Sequence, residues 1–519
     1  MLRIFRKDAL IVFALLSFVF AYFYQYAGWN GNSRFSLIFA AVQEQTFSID
    51  HYYQKEGTAT GDLSFANGHY YSDKAIGPAI LGAIVYAPIS WLQSLTGHPG
   101  VDTVEQILTF CVVGLPSAIA GTLMYLLCLY LCKKRARSFL ITLAVTLGTM
   151  YFPYSTIFFS HQFTAALIFS GFVVIFFLKV GELAPKGGWW FLAGLLLGWA
   201  VISEYTCAAI VLPVAIYALV VIWRTPNLRR WKSLLLMALG GSIPLALQFV
   251  YNQVCFGSPF SVGYSNLPNQ YFSASMSQGL MGIGWPNLQV LFYMTFHPTV
   301  GLFWQSPVLI LALVGVVYGL KNKQYRGEVL LAIWLIVSYL VLISGYFMWW
   351  GGYALSSRHI IPILPFFCLL LVFLPDGFDW PMLVLGLLSF VQMGMAAATT
   401  VLVPDDHIAQ LGTMSFFGYS NIYDFCLVQL RSLAFSENLG HRLFHLNRWA
   451  SLVPFFVGVI GLIVLFLRMK RFPGRQVNKI NIGGVRELPL QEQGSITLRK
   501  SDLPGRARRG SSHPDEIHH

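Results

Sequence analysis

The sequence predicts an all-α, polytopic membrane protein of about twelve transmembrane helices, on three observations. Of the 519 residues, 56% are hydrophobic and only 11% are charged, whereas soluble globular proteins carry about 25% charged residues. Many apolar stretches reach the roughly 20 residues that a helix needs to cross a bilayer. Lysine and arginine concentrate in the short segments between these stretches and near the C-terminus, where they set the orientation of a membrane protein.

The same distribution of charge bears on the partners of the chain. A net charge of +12 could indicate a nucleic-acid partner. Basic residues that concentrate in short loops between spans and near the C-terminus are instead typical of a membrane protein. We therefore expect the bilayer, and no nucleic acid, as a partner. The seven cysteines include no CxxC pair, so we read them as packing residues.

The apolar stretches define the individual spans. The first is too long for the 7–15-residue core of a signal peptide, and no small-residue cleavage site follows it, so it is taken as a span. The predicted spans are residues 9–28, 106–132, 138–158, 162–180, 189–203, 205–223, 233–251, 300–320, 328–347, 360–375, 380–402 and 449–467.

One further apolar run, residues 75–95, follows the stretch "GHYYSDKAIG". If this run crossed the membrane, the later basic loops would face outward, against the positive-inside rule. Pro78 and Pro88 also disfavour a straight helix. We therefore predict that 75–95 forms juxtamembrane helices at the outer interface and that both termini are cytoplasmic. The large outer segments are then 29–105, 252–299, 348–359 and 403–448.

Two parts of the chain follow from this topology. Residues 1–470 form one transmembrane domain, whose first outer loop, 29–105, carries most of the candidate site. Residues 471–519 are polar and rich in Gly, Pro, Arg and Ser. We predict that this segment is a disordered, basic cytoplasmic tail, since such a composition cannot form a core.

Candidate functional residues concentrate on the outer side. Within the first outer loop, carboxylates at a low-dielectric boundary are suited to general-base chemistry, and nearby cations are suited to phosphate. An ordinary solvated loop remains the alternative. The carboxylates are those of Asp50, Asp62 and Asp73, and the cations those of Arg34 and Lys74.

Other outer segments add side chains to this set. Arg358 and His359, in "YFMWWGGYALSSRHIIP", lie just before the predicted span 360–375, at the depth where a lipid phosphate would lie. The tryptophans of this stretch also fit a headgroup belt, and a lone histidine at a span end is more often structural than functional. Candidate pocket residues are His161, Glu204, Tyr264, Trp349 and Trp350.

Six motifs occur in order over about residues 25–370: "SRF", "TFSID", "GHYYSDKAIG", "FGSPFSVGY", "GLFWQSPVL" and "WWGGYALSSRHIIPILPF". This series resembles the bacterial C-type (GT-C) glycosyltransferases. The greatest similarity is to the family-39 group, which includes protein mannosyltransferases and the lipid A aminoarabinose transferase. The resemblance implies an enzyme of the bacterial cytoplasmic (inner) membrane, with its active site on the periplasmic face. It would pass a sugar from a polyprenyl-phosphate carrier to a glycan, lipid or protein acceptor, with inversion at the anomeric carbon.

The resemblance also implies roles for particular residues. Asp73 would act as base or orient the acceptor, and Lys74 with Tyr71 would contact the carrier phosphate. The family's usual acidic residue just before Arg34 is absent, because Gly31 and Asn32 stand there. Asp50, Asp62 or Asp73 would therefore have to supply the base. In some relatives a divalent cation bridges the carboxylates and the phosphate. The resemblance therefore leaves a divalent cation open as a cofactor, and it does not identify the ligands.

Two other functions stay open at this point. A flippase or transporter for a lipid-linked or small polar substrate would need polar or broken helices at the membrane midplane, of which the sequence offers little. A catalytically silent relative would account for Gly31 and Asn32.

Overall fold

Helices make up nearly all of the regular structure. The structure is a computed structural model that describes residues 7–225 and 229–469; the predicted tail, 471–519, lies outside these residues. The α-helices of the first half are α1 Lys7–Tyr22, α2 Gly28–Phe39, α3 Gly77–Thr96, α4 Val101–Thr109, α5 Leu115–Cys132, α6 Arg135–Thr146, α7 Tyr151–Tyr154, α8 Ser160–Lys179, α9 Gly187–Val201, α10 Ala208–Arg224 and α11 Arg230–Phe256. Those of the second half are α12 Gln270–Met276, α13 Leu288–Phe296, α14 Leu302–Gln305, α15 Ala312–Lys321, α16 Arg326–Ser344, α17 Cys368–Leu371, α18 Asp379–Ala398, α19 Leu427–Arg431, α20 Leu439–Phe444 and α21 Val453–Arg468.

Tighter or wider helical turns and four short strands complete the secondary structure. The 3-10 segments are Tyr205–Cys207, Gly263–Asn266, Pro307–Leu311, Arg358–Phe367, Asp376–Phe378, Ile408–Gln410 and Arg448–Leu452, and the π segments are Ala40–Glu44, Phe110–Gly114 and Asn421–Cys426. The strands are β1 Phe23–Tyr24, β2 Leu63–Ala66, β3 His69–Ser72 and β4 Glu437–Asn438. Two antiparallel pairs result, β1 with β4 and β2 with β3.

The prediction of an all-α, polytopic membrane protein is confirmed. In the described residues, eight helices are long and apolar enough to cross a membrane, and three shorter apolar helices accompany them. Each of the twelve predicted spans overlaps helical structure.

Proline and glycine interrupt several of the predicted spans, and two of these show the effect well. The span predicted at 138–158 is helical only to Thr146, after which the chain turns at Gly148 into the short α7. The span predicted at 360–375 begins as a 3-10 helix, Arg358–Phe367. Pro362 and Pro365 lie inside that segment, and a proline has no N–H for a regular α-helical hydrogen bond.

The run 75–95 forms the single 20-residue helix α3 rather than several helices. Pro78 lies in the first turn, where no backbone N–H is needed, and the helix continues through Pro88. Eight of the 20 residues of α3 are exposed and five are buried. The buried residues include Gly82, which approaches Ile38 of α2. Its length and composition would allow a crossing, so its interfacial position stays a prediction that rests on the basic loops.

Helix α8 lies at the centre of the bundle. Its residues 160–178 are all buried, and the helix packs against α5, α9 and the segment Arg358–Phe367. Helices α9 and α11 approach closely, since a Cβ on Gly194 would lie 1.9 Å from the carbonyl oxygen of Met237. Such contacts between small residues are typical of membrane helices. The packing fixes the N-terminus of α8 beside Glu204 and Arg358, which are the inner wall of the candidate site.

Candidate active site

A cavity of about 310 Å³ lies where the first outer loop meets the ends of several apolar helices. Among the described residues that line it are three cations, three carboxylates and two histidines. They are Arg34, Lys74 and Arg358; Asp62, Asp73 and Glu204; and His161 and His359. Tyr264, another predicted residue, also lines it. Sequence segments more than 300 residues apart therefore meet in one pocket.

A β-hairpin brings Asp62 and Asp73 together. Strands β2 and β3 pair with Leu63 opposite Ser72, so the residues just outside this pair lie side by side at the open end of the hairpin. Asn67 and Gly68 form the turn with positive φ angles of 53° and 84°, the conformation that Asn-Gly favours in two-residue hairpin turns. Asp62 and Asp73 are eleven positions apart in sequence, yet the hairpin brings both carboxylates into contact with the same cation.

That cation is Lys74. Its Nζ lies 2.9 Å from Oδ2 of Asp62 and 3.1 Å from Oδ2 of Asp73. Burial works against the charged lysine, but the two carboxylates outweigh it and raise its pKa above the ordinary value. Burial raises the pKa of Asp73 to about 6, an effect that Asp62 strengthens and Lys74 opposes. The second oxygen of Asp73, Oδ1, has no hydrogen-bond partner among the described residues.

Gly263 closes the cavity against the same hairpin. Its carbonyl accepts a hydrogen bond of 2.9 Å from Ser64 of β2. A Cβ at this position would lie 2.8 Å from the Cα of Asp73. The segment that carries Tyr264 is therefore held close enough for the tyrosine ring to lie 5.8 Å from the Lys74 ammonium, which adds a cation–π contact.

Two arginines reach the cavity without a carboxylate partner in the described part of the chain. Arg34, on α2, donates from one terminal nitrogen to Ser160 at 3.0 Å and from the other to the backbone oxygen of Asn30 at 2.9 Å. Arg358 stacks over Phe159, with 4.6 Å between the guanidinium carbon and the ring centre. Gly351 leaves room for it, since a Cβ there would lie 2.9 Å from Arg358 Cγ. A guanidinium group that has no carboxylate partner can bind an anion through those of its N–H groups that make no other hydrogen bond.

The opposite wall is formed by two histidines and Glu204. His161 Nδ1 lies 3.0 Å from Glu204 Oε2, and that oxygen also accepts a 3.0 Å hydrogen bond from Ser160. The rings of His161 and His359 are 5.0 Å apart. Ser160 thus links Arg34 to this group.

Four predicted residues do not line the cavity formed by the described residues. Asp50 accepts hydrogen bonds from His69 at 2.6 Å and from the backbone N–H of Tyr70 at 2.8 Å. Its pKa is lowered because these bonds outweigh its partial burial. Tyr71 points to the other side of β3, where its ring packs 5.7 Å from Phe256.

The tryptophans Trp349 and Trp350 also lie outside the cavity. Trp349 packs against Tyr293, and Trp350 donates to Asp405 at 2.8 Å. The neighbouring Tyr346, Phe347 and Met348 line the cavity instead. The turn at the two glycines that follow directs Arg358, rather than the tryptophans, into the pocket.

Sequence reasoning missed the apolar wall of the cavity. It comes from the segment between α11 and α13 and consists of Leu267, Phe272, Met276, Leu280, Met281 and Ile283. The spaced methionines and apolar residues of "YFSASMSQGLMGIG" are the signal that could have identified it. The cavity therefore has a charged side and an apolar side.

Comparison with known proteins gives a remote structural similarity. No protein-family model and no curated protein matches the chain. The crystal structure of ArnT from Cupriavidus metallidurans bound to undecaprenyl phosphate matches with 14% identity over 90% of this chain and 77% of that chain, at a TM-score of 0.48. The apo structure of the same protein matches with 12% identity over 88% and 75% of the two chains, at a TM-score of 0.42.

Proposed function

We propose that the protein is an integral-membrane glycosyltransferase. It takes a sugar from a polyprenyl-phosphate carrier and passes it to an acceptor on the outer face of the bacterial cytoplasmic membrane. The observation that carries this proposal is the meeting of two unpaired arginines and a lysine–dicarboxylate cluster in one cavity that also has an apolar wall. The order of the sequence motifs that resemble C-type glycosyltransferases supports it.

The two sides of the cavity match the two parts of such a donor. Lys74, Arg34 and Arg358 supply positive charge for a phosphate, and the apolar wall offers contact for an isoprenoid chain. Arginine and lysine bind phosphate oxygens through charge-assisted hydrogen bonds. A donor anchored in the bilayer also explains why such a site lies at the ends of apolar helices.

The reaction asks for charge stabilisation and a base. An acceptor oxygen attacks the anomeric carbon, the bond from that carbon to the phosphate oxygen breaks, and its electron pair leaves with the phosphate. The cations stabilise the added negative charge on the leaving phosphate. A carboxylate takes the proton of the acceptor hydroxyl. One direct displacement inverts the configuration of the sugar.

Asp73 is the better placed of the two cavity aspartates to act as this base. Its pKa of about 6 lies close to neutral pH, where a general base combines sufficient basicity with a high ionised fraction. Its Oδ1 is free of hydrogen bonds among the described residues. Asp62 shares Lys74 with it and keeps the lysine oriented toward the cavity.

The test is transfer from a labelled polyprenyl-phosphate sugar by the full-length protein in nanodiscs. The native protein should release polyprenyl phosphate and form a glycosylated product with one of a panel of lipid, glycan and peptide acceptors. Lys74→Met should weaken carrier binding at least tenfold, because it removes the central phosphate cation. Lys55→Met alters an exposed lysine of the same loop and should leave binding unchanged.

Each of the other possible results would indicate a different function or contradict the proposed site. Movement of the intact carrier across the membrane without cleavage would indicate a flippase. Carrier binding without transfer to any acceptor in the panel would indicate a silent relative. Equal carrier binding by the native protein and by Lys74→Met would contradict the site itself.

A further inference from the structure

Three potential metal ligands meet on the wall of the cavity opposite Lys74. His161 is the second residue of α8, Glu204 directly precedes the 3-10 segment Tyr205–Cys207, and His359 is the second residue of the segment Arg358–Phe367. One ligand atom from each residue lies within 4.8 Å of the other two. Three segments distant in sequence therefore present two imidazoles and a carboxylate to one point.

We propose that His161, Glu204 and His359 bind one divalent transition-metal ion, with Zn²⁺ as the best match, and that its open coordination position faces the cavity. Two histidines and one carboxylate are a donor set that zinc takes in sites that keep a fourth position for another ligand. Magnesium and calcium are poorer matches because they prefer oxygen ligands throughout.

The geometry requires only side-chain adjustment. Tetrahedral zinc with bonds of 2.0–2.2 Å places its ligand atoms about 3.3 Å apart. His161 Nδ1 and Glu204 Oε2 are already 3.0 Å apart. The upper limit of 4.8 Å for the remaining separations leaves a closure of at most about 1.5 Å, which rotation of the imidazole rings can supply.

The second observation is the state of His359. Its side chain is 8% exposed, and neither ring nitrogen has a hydrogen bond of ordinary geometry among the described residues, although the Met348 backbone lies near enough to interact with the ring. Buried polar nitrogens are normally hydrogen-bonded, because burying one without a partner costs free energy. Coordination of a metal by one of the two nitrogens would remove that cost in part.

Charge explains why such an ion would bind together with a phosphate. The three cations and three carboxylates that line the cavity cancel before any ligand enters. A divalent ion alone would add two positive charges near Arg34 and Arg358. A phosphate group supplies the compensating charge and can occupy the open position of the ion, so each ligand should increase the affinity of the other.

The role of the ion rests on the proposed function, whereas its binding does not. When the carbon–oxygen bond to the phosphate breaks, a phosphodiester with one negative charge becomes a monoester with two. An ion bound by His161, Glu204 and His359 would act as a Lewis acid and stabilise the additional negative charge on the leaving phosphate. Its presence in the protein is measurable without any sugar donor.

The experiment measures bound metal in the full-length protein in nanodiscs. The C-terminal stretch "HPDEIHH" could itself bind zinc, so all variants are made with His513, His518 and His519 changed to alanine and without a histidine tag. After removal of metal with a chelator and dialysis against buffered Zn²⁺, mass spectrometry of the elements gives the stoichiometry. Co²⁺ in place of Zn²⁺ reports the coordination number through its visible absorption.

We expect about one ion per protein and a four-coordinate cobalt spectrum. His161→Ala, His359→Ala and Glu204→Gln should each weaken binding at least tenfold, whereas His297→Ala should retain it, because His297 is buried outside the cavity. Farnesyl phosphate should tighten Co²⁺ binding at least tenfold, and farnesol should not. Elution volume and thermal unfolding of the metal-free variants show whether they are folded.

The native protein decides the matter even if a variant fails to fold. Less than a tenth of an ion per native protein at saturating Zn²⁺, or full binding by the folded Glu204→Gln variant, would overturn the proposal. Sugar transfer at the native rate by metal-free protein would overturn the role of the ion in the reaction and would still support the glycosyltransferase. Stoichiometric metal binding without sugar transfer to any acceptor would support the metal site and contradict the proposed enzyme activity.

Discussion

Replacing Asp73 with asparagine removes one carboxylate from the Lys74 cluster while keeping the size of the side chain. In the native protein, the pKa of this carboxyl is raised to about 6, because burial and the Asp62 charge raise it by more than Lys74 lowers it. Asp73 is therefore protonated below about pH 6 and ionised above it. A base must be ionised to accept a proton, so the rate should rise with pH through this range.

The magnitude follows from the same pKa. With a pKa of about 6, the ionised fraction is about 0.1 at pH 5 and about 0.9 at pH 7, so kcat/KM should rise about tenfold between them. Asp73→Asn should lower kcat by about 10²- to 10⁴-fold, the usual contribution of a general base. Its remaining activity should no longer change between pH 5 and pH 7.

The assay is the initial rate of transfer from a labelled carrier at saturating acceptor between pH 5 and pH 8. Asp62→Asn and Asp50→Asn are the matched variants. Asp62→Asn should raise the KM for the carrier, because it disturbs Lys74. It should also keep the acid limb but shift it to lower pH, because Asp62 raises the pKa of Asp73. Asp50→Asn should stay within about threefold of native, since Asp50 is held outside the cavity by His69 and Tyr70. A native-like rate in Asp73→Asn, or an unchanged acid limb in that variant, would refute the assignment.

Three further substitutions test the surroundings of the site. Gly351→Ala should lower the thermal unfolding temperature and raise the KM for the carrier, because φ is 92° and the new Cβ would lie 2.9 Å from Arg358 Cγ. Gly100→Cys, at an open position between α3 and α4, should react with an impermeant maleimide from outside the cell; reaction only from the cytoplasm would reverse the predicted topology. Asn32→Asp should destabilise the fold by about 1–3 kcal/mol, because an aspartate cannot donate the bonds that Asn32 gives to Tyr26 and Ala59; a native unfolding temperature would contradict this.

The apolar stretches of the sequence were sufficient to place the helices, because a membrane-spanning helix must bury its own backbone hydrogen bonds and tolerates few charges. They were less informative where proline and glycine divide a hydrophobic run. Hydropathy predicts one continuous span at residues 138–158, yet the helix that begins this stretch ends at Thr146. Hydropathy measures how apolar a segment is, whereas the end of a helix depends on single residues.

The site was predictable in its composition but not in its pairing. The clusters of charge in the outer loops identified Asp62, Asp73 and Lys74 as candidates. Glu204 was identified because it is a carboxylate at the edge of a predicted span. The sequence did not separate Asp50 from the other two aspartates, because the difference arises from the hairpin register, which places Asp62 beside Asp73 and leaves Asp50 beside His69. The Asn-Gly turn was visible in "FANGHYY" and would have given that register.

The packing around Gly31 and Asn32 explains why this chain has no acidic residue just before Arg34. A Cβ on Gly31 would lie 2.1 Å from the Cβ of Ala27 and 3.4 Å from the carbonyl oxygen of Phe158, so no carboxylate fits there. Asn32 is fully buried, and its amide ties α2 to the loop just before Asp62 through a 2.8 Å bond to the Ala59 carbonyl. An acidic side chain at position 32 would repel that carbonyl and release the loop. The loop that Asn32 holds is the one that leads Asp62 into the hairpin, so the amide helps to position Asp62 beside Asp73.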